Sequence, residues 1–210
     1  MDPTRLRGRA WTAGIAALCG LWFVQNGAPE RLAAPQPSPS EAFVADPVPR
    51  SGSTVAAPLR ASEPVRVRIP RIGVDAPLTR LGLGTDGSLD VPPAEDRNLA
   101  GWFGDGTPPG AKGTAIVAGH VDNAEGPAVF YSLGSLKKGA AVEIDRRDGR
   151  TAVFAVDAVE VYANEDFPDE RVYGASANAA LRLITCGGGY TRATGYQGNV
   201  VVYAHLAEVR

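Results

Sequence analysis

A cysteine and a histidine, each at the end of an apolar run, carry the strongest chemical signal in this sequence. Cys186 follows the run Leu181-Arg-Leu-Ile-Thr and is followed by three glycines. His120 ends a second run, which begins at Gly113 and continues as Val121-Asp122. Apolar runs of this kind predict buried strands, and glycine runs end regular structure. We therefore expect both side chains at strand ends, where they can be partly exposed beside loops.

These two residue types together suit nucleophilic catalysis by a thiolate. A free thiol is mostly protonated at neutral pH, and a nearby histidine can accept its proton or stabilise the charged form. Arginine can then stabilise an oxyanion with fixed donors and a permanent charge, and Arg192 lies in the glycine-rich stretch 187–198. Position alone leaves Cys186 open to a structural or a catalytic role, because a lone cysteine at a strand end is more often structural.

Other chemistries find less support in the sequence. One cysteine and two separated histidines, His120 and His205, are few ligands for a metal, so we expect neither a metal nor a cofactor. The residues Asp122, Asn123 and Glu125 fit a solvated turn as well as a cation loop. No phosphate-cradling glycine loop occurs, and the net charge of −2 gives no reason to expect nucleic acid. For His205, which lies in the last apolar run, we expect a surface or packed role.

The N-terminal residues 1–27 have the pattern of a cytoplasmic basic stub and a transmembrane signal anchor. Three arginines precede an uncharged apolar run from Ala10 to Val24. The positive-inside rule places the arginines in the cytoplasm and the rest of the chain outside. We therefore expect a single-pass cell-membrane protein with an extracellular domain, and an uncleaved anchor rather than a cleaved signal. Cys19 is interpreted as a small apolar residue of the span, without a disulfide to Cys186.

Residues 28–62 form a linker rich in Pro, Ala and Ser. Such a composition buries too little apolar surface to become ordered, so we expect an extended, mobile stalk. Phe43 and Val44 are its one clear apolar pair, which either docks on the domain or stays solvated; the composition favours solvation.

Residues 63–210 form a domain with a pattern of short strands and little helix. Asp148-Gly149 between two alternating runs predicts a hairpin turn, and 129–136 predicts a short helix. About eight strands of this kind indicate an all-β barrel or sandwich. The predicted strands are 65–69, 74–83, 89–91, 116–121, 140–145, 151–162, 181–186 and 199–206.

Three motifs within residues 65–204 then give the domain a family resemblance. They are Gly119-His120-Val-Asp with the following Gly126-Pro-Ala-Val-Phe-Tyr-Ser-Leu, the segment Leu183-Ile-Thr-Cys186, and the stretch from Tyr190-Thr-Arg192 to Asn199-Val-Val-Val-Tyr-Ala204. They resemble the histidine, cysteine and arginine segments of the sortases, the cysteine transpeptidases of Gram-positive cell envelopes. The family's first Thr of the cysteine segment is Leu183 here. The Cys-Gly-Gly continuation and the last-strand motif are most similar to the actinobacterial class F group, with class E as near neighbour.

The resemblance implies a closed eight-stranded sortase-like β-barrel with one or two short helices. It implies cleavage of a Leu-Pro-x-Thr-Gly-like sorting signal between Thr and Gly, and transfer to an amine of a peptidoglycan precursor. The implied partners are thus secreted proteins with a C-terminal sorting signal and that acceptor amine. The implied roles are nucleophile for Cys186, acid and base for His120, and oxyanion or carbonyl stabiliser for Arg192.

Two points stay open at the level of the sequence. The class A arginine stands at the start of the last strand, where this chain has Asn199, so Asn199 competes with Arg192 for the third role. The rival enzyme class is an L,D-transpeptidase, whose Ser-x-Gly-Cys-x-Arg-like segment does not fit Thr185-Cys186-Gly187. A non-catalytic, membrane-tethered β-domain that binds wall polymers is the alternative from a different class.

Overall fold

Eight β-strands close into a barrel in the part of the chain that the structure describes. The structure is a computed structural model, which describes residues 33–43, 55–85, 87–191 and 193–210. Around the barrel the order is β1-β2-β3-β4-β9-β10-β8-β7, and β1 pairs with β7 to close it. The barrel strands are β1 (Pro64–Ile69), β2 (Val74–Leu81), β3 (Ala100–Phe103), β4 (Gly113–Gly119), β7 (Ala141–Arg146), β8 (Thr151–Ala163), β9 (Ala179–Thr191) and β10 (Gly195–Val209).

Short elements connect these strands. Strands β5 (Asp122–Asn123) and β6 (Gly126–Pro127) form a separate two-stranded ribbon directly after β4. The α-helix α1 (Asp169–Tyr173) lies between β8 and β9. Short 3₁₀ helices occupy Pro39–Glu41, Pro70–Ile72, Leu133–Ser135 and Asn164–Asp166.

The closed all-β barrel expected from the sequence is confirmed, as is the hairpin at Asp148-Gly149. Gly149 has a φ of 80°, which an L side chain rarely adopts, so glycine suits this turn. The strand predicted over 89–91 is reduced to one bridge between Leu83 and Leu89. Strand β3 was not predicted, because Ala100-Gly-Trp-Phe103 shows no alternation of apolar and polar residues.

The helix predicted over 129–136 is wrong in extent and type. A 3₁₀ helix forms over Leu133–Ser135 alone. Phe130, Leu133 and Leu136 are fully buried in the barrel core, so their apolar spacing reflects a segment packed into the barrel rather than one face of an α-helix. Tertiary packing has here overridden a local pattern.

Residues 33–43, which we call the strap, lie against the barrel domain. The Phe43 amide donates to Glu160 at 2.9 Å, and the Phe43 ring meets Tyr203 edge-on with a centroid distance of 4.9 Å. The Glu41 carboxylate accepts from the Lys138 amide at 2.8 Å, and this hydrogen bond is the main cause of a lowered Glu41 pKa. The expected solvated linker therefore does not describe these eleven residues.

The predicted membrane anchor, Ala10–Val24, lies outside the described residues. Among helices within 33–43, 55–85, 87–191 and 193–210, none has the length and apolar character that crossing a membrane requires.

Candidate active site

The parallel pairing of β4 with β9 brings the histidine and cysteine segments to one edge of the barrel. The register runs from Gly113 opposite Ala179 to Ala118 opposite Ile184. Continued by two residues, the same offset sets His120 level with Cys186. Because parallel strands point the same way, both residues emerge at the same barrel edge.

Alternation along β9 decides which side chains face outward. Leu181, Leu183 and Thr185 are buried, whereas Cys186 is an exposed free thiol. Successive strand residues point to opposite faces, so Cys186 shares the outer face with Ile184. The sulfur is thus presented outside the barrel and not inside its core.

Strand β9 continues beyond Cys186, contrary to the expected strand end. The three glycines lie within β9, and the ladder with β10 continues on both sides of Gly188 and Gly189: Gly187 pairs with Gly198, and Tyr190 pairs with Tyr196. Gly188 and Gly189 have φ values of 74° and 96°, a backbone region that suits glycine and twists the strand. The result is a hairpin, formed by 187–191 and 195–198, that extends the two strands past the cysteine.

The imidazole of His120 is oriented by a backbone carbonyl. Its Nε2 lies 2.7 Å from the carbonyl oxygen of Pro92. A carbonyl can only accept, so Nε2 carries the proton of this hydrogen bond. In the neutral ring the lone pair is then on Nδ1, which is available to accept a proton.

A carboxylate and a phenol complete the polar environment of the thiol. Tyr196 donates from its hydroxyl to Asp122 Oδ2 at 2.7 Å. The pKa of Cys186 is raised, first because neighbouring protein removes water from one side of the sulfur and second because of the negative charge of Asp122. The side chain still reaches solvent, so its water loss is partial. Deprotonation of this thiol at neutral pH therefore needs a base or a compensating positive charge.

The structure describes Asn199, one of the two candidates for the oxyanion-stabilising role, but not Arg192, the other. Asn199 lies opposite Cys186 in the β9–β10 ladder, but its Nδ2 already donates to Asn164 Oδ1 at 3.0 Å. Arg192 lies outside the described residues, so its role stays a prediction.

Metal ligands are sparse: across the described ranges no three His, Cys, Asp or Glu side chains converge as a metal site would require.

An apolar cavity of ≈ 620 Å³ opens on the outer face of β4. Its lining includes Leu83, Leu89, Phe103, Ile116 and Tyr173. Ile116 of β4 lies four residues before His120, which directly follows this strand, a distance of about 13 Å along an extended chain. An extended peptide of a few residues can therefore reach from this cavity to the thiol.

The sequence assigned no catalytic role to two groups of this site. Asp122 fits a solvated turn as well as a cation loop in the sequence, although it stands two positions after His120. The carbonyl of Pro92 carries no sequence signal at all, because every residue has one.

The arrangement as a whole defines a class of protein: a closed β-barrel with an exposed cysteine and a histidine at the edge formed by two parallel strands. The model of the sortase domain matches residues 67–207 of this chain. The chain belongs to the sortase family. A comparison with curated proteins returned no match.

Solved structures of sortases share the fold. The SrtA sortase from Actinomyces oris has 20% identity and a TM-score of 0.53, over 77% of this chain and 89% of that one. Sortase A from Listeria monocytogenes has 18% identity and a TM-score of 0.53, over 72% and 90%. Sortase A from Corynebacterium diphtheriae has 24% identity and a TM-score of 0.52, over 71% of this chain but 63% of that one.

Proposed function

We propose that this chain is a membrane-anchored cysteine transpeptidase. It cleaves a Leu-Pro-x-Thr-Gly-like sorting signal between Thr and Gly and transfers the protein to a cell-wall amine. The observation that carries the proposal is the β4–β9 register within a sortase domain: Ala118 pairs with Ile184, two residues before His120 and two residues before the exposed Cys186. A histidine beside a thiol is the arrangement that activates a sulfur nucleophile.

The reaction proceeds in two acyl transfers. His120 takes the proton of the Cys186 thiol, the sulfur attacks the carbonyl carbon of Thr, the C–N bond to Gly breaks, and the leaving amine takes that proton from His120. The product is a thioester on Cys186. An acceptor amine then attacks this thioester, gives up a proton to His120, and releases the sulfur as the new amide forms. The raised pKa of the thiol fits this scheme, because it makes proton transfer by His120 necessary.

The third role belongs to Arg192. Its position in sequence, between β9 and β10, supports the assignment, and its guanidinium supplies two parallel donors for an oxyanion. The hydrogen bond from Asn199 to Asn164 argues against Asn199, because it directs the amide toward Asn164 and uses one of its two N–H donors.

The apolar cavity supports the substrate class. A Leu-Pro pair is apolar and extended, and the ≈ 620 Å³ cavity is lined by aliphatic and aromatic side chains. The chemistry of the lining thus matches the apolar half of the signal, while the Thr carbonyl lies at the thiol.

The motifs support a class F assignment, with class E as the near neighbour. The apolar run from Ala10 to Val24 supports a single-pass anchor in the cell membrane, with the barrel outside the cell. There the enzyme meets secreted proteins and the amine of a peptidoglycan precursor.

A ligation assay tests the proposal. The full-length protein is mixed with a Leu-Pro-x-Thr-Gly peptide and an oligoglycine amine, and products are identified by mass spectrometry. We expect cleavage after Thr and a ligated product, and no product from a matched peptide in which Leu and Pro are exchanged. Absence of cleavage with the native-order peptide, or equal cleavage of both, would contradict the proposal. An inert protein would instead be a wall-binding domain.

A further inference from the structure

The ribbon β5–β6 continues the histidine strand and is tied on one side to the segment 92–97. His120 bonds to the Pro92 carbonyl, and Asn123 Nδ2 donates to the Ala94 carbonyl at 2.8 Å. Arg97 donates to the Pro127 carbonyl at 2.8 and 3.1 Å. These bonds hold the ribbon and the imidazole together as one unit on the β4 side of the site.

The cysteine side of the site is held by longer contacts. The Gly188 amide donates to Gln36 Oε1 at 3.3 Å, Asn164 Nδ2 donates to the Tyr196 carbonyl at 3.3 Å, and Gly198 pairs with Ala163 of β8. Beyond Cys186 the chain forms the hairpin 187–191 and 195–198, with glycines at positive φ and a register shift between Tyr196 and Gly198. A two-stranded hairpin is marginally stable by itself, and glycines widen its conformational freedom. Such a hairpin needs a lateral contact to keep one orientation.

Tyr196 provides a contact of this kind. It belongs to the hairpin, and its hydroxyl crosses the site to donate to Asp122 Oδ2 on the ribbon at 2.7 Å. A hydrogen bond to a carboxylate is short and stronger than a neutral one. The bond joins residues 74 positions apart, one on the histidine side and one on the cysteine side.

The negative charge of Asp122 argues against a role for this residue in activating the thiol by electrostatics. Asp122 on β5 and Tyr196 on β10 lie close to Cys186, and Tyr131 lies close to Tyr196. His120 follows the end of β4, two residues after Ala118, which pairs with Ile184 of β9. A carboxylate there opposes the thiolate and raises the Cys186 pKa. Because Asp122 lowers the reactivity of the Cys186 thiol in this way, another property must account for its position. The hydrogen bond from Tyr196 to Asp122 is such a property.

We propose that Asp122 and Tyr196 are positioning residues, whose hydrogen bond clamps the β9–β10 hairpin to the β5–β6 ribbon and so sets the separation of His120 and Cys186. The bond persists at neutral and moderately basic pH, because burial and the neighbouring Asp122 raise the pKa of Tyr196. The catalytic consequence rests on the proposed function, whereas the clamp itself is a property of the fold.

Three variants separate position from charge. Tyr196→Phe removes the bond and keeps the carboxylate. Asp122→Asn keeps an acceptor oxygen for Tyr196 and removes the charge. Asp122→Ala removes both. Tyr190→Phe is the matched control, because it deletes a hydroxyl from an exposed tyrosine of the same hairpin whose ring lies 5.1 Å from that of Tyr196.

Hydrogen exchange and acylation kinetics are measured on full-length protein. In Tyr196→Phe and Asp122→Ala we expect faster amide exchange in 187–198 and a fall of about 10- to 100-fold in the acylation rate constant, with little change in KM. Asp122→Asn should retain most of the slow amide exchange in 187–198 and most of the acylation rate constant. The double variant Asp122→Ala/Tyr196→Phe should be no slower than Asp122→Ala, since one interaction is lost in either case.

The pH dependence of Cys186 alkylation gives an independent readout. Asp122→Asn should move the alkylation midpoint to lower pH, because a negative charge beside the thiol is gone, while Tyr196→Phe should not lower it. Exchange in 187–198 that is the same in Tyr196→Phe and Tyr190→Phe would overturn the clamp. Failure of the wild-type enzyme to form an acyl-enzyme would overturn the proposed function instead, and the exchange data would still support or overturn the clamp.

Discussion

The two histidines of the domain occupy contrasting regions of the same barrel. His120 follows the end of β4, half-buried, at the edge that it shares with Cys186. His205 lies within β10, where its Nδ1 contacts Asp157 at 2.7 Å and its Nε2 is buried without a partner among the described residues. Both imidazoles are half-buried, but the first keeps one nitrogen available at the end of a strand, whereas the second is held by Asp157 within a ladder.

The comparison shows how the position in a strand affects a histidine. Cys186 differs from both, because it lies inside the β9–β10 ladder and is nevertheless exposed. A histidine in the middle of a ladder is surrounded by neighbouring strands, so its polar atoms are occupied or enclosed. A histidine at a strand end has neighbours on fewer sides, and a substrate can approach it. Near His205 the strap adds a further layer, since Phe43 covers Tyr203 two residues away.

Replacing each histidine by alanine is the strongest test of this contrast. His120→Ala should lower transpeptidation by about 10²- to 10⁴-fold, the usual contribution of a positioned acid or base. His205→Ala should leave the rate unchanged and lower the free energy of unfolding by about 1 kcal/mol, because Asp157 loses a hydrogen bond. The two variants are matched controls, measured by steady-state ligation and urea denaturation. Equal loss of activity in both would refute the assignment of His120.

The third role at the open edge can be assigned by a similar pair. Arg192→Ala should slow ligation by about 10²- to 10³-fold, the effect of losing one oxyanion donor, and Arg192→Lys should recover part of the rate. Asn199→Ala should have a smaller effect, because its amide already bonds to Asn164. A wild-type rate for Arg192→Ala together with a large loss for Asn199→Ala would reverse the assignment.

We expect the smallest effect on activity from a substitution in the strap, where Phe43 packs on Tyr203. Phe43→Ala should lower the free energy of unfolding by about 1 kcal/mol, because the ring contact with Tyr203 is lost, and should leave the ligation rate unchanged. Phe43→Tyr keeps the ring and serves as the control. A change in rate without a change in stability would mean that the strap acts on the site rather than on the fold.

Sequence patterns predicted the parts of the molecule that depend on local order. Each of these parts depends on fewer than a dozen consecutive residues. They are the apolar runs that end at His120 and Cys186, and the hairpin at Asp148-Gly149. The register of β4 with β9 is a tertiary property, yet the family motifs pointed to the same pair of residues.

Other features depend on contacts between distant residues and left no local signal. Asp122 and Tyr196 are far apart in sequence, and the strap has a composition typical of a solvated linker. The glycines 187–189 were expected to end a strand, but pairing of Gly187 and Tyr190 with β10 continues the strand through them. The run 129–136 misled because apolar residues that pack into a barrel can imitate a helical face.

Intact-mass measurement of the acyl-enzyme tests the central claim most directly. Wild-type protein mixed with a Leu-Pro-x-Thr-Gly peptide, without an acceptor amine, should gain the mass of the peptide up to its Thr. Peptide mapping should place this mass on Cys186, and added amine should remove it. Cys186→Ala, which replaces an exposed side chain and should retain the fold, should gain no mass. An adduct on any other residue, or turnover of the peptide by Cys186→Ala, would contradict the account.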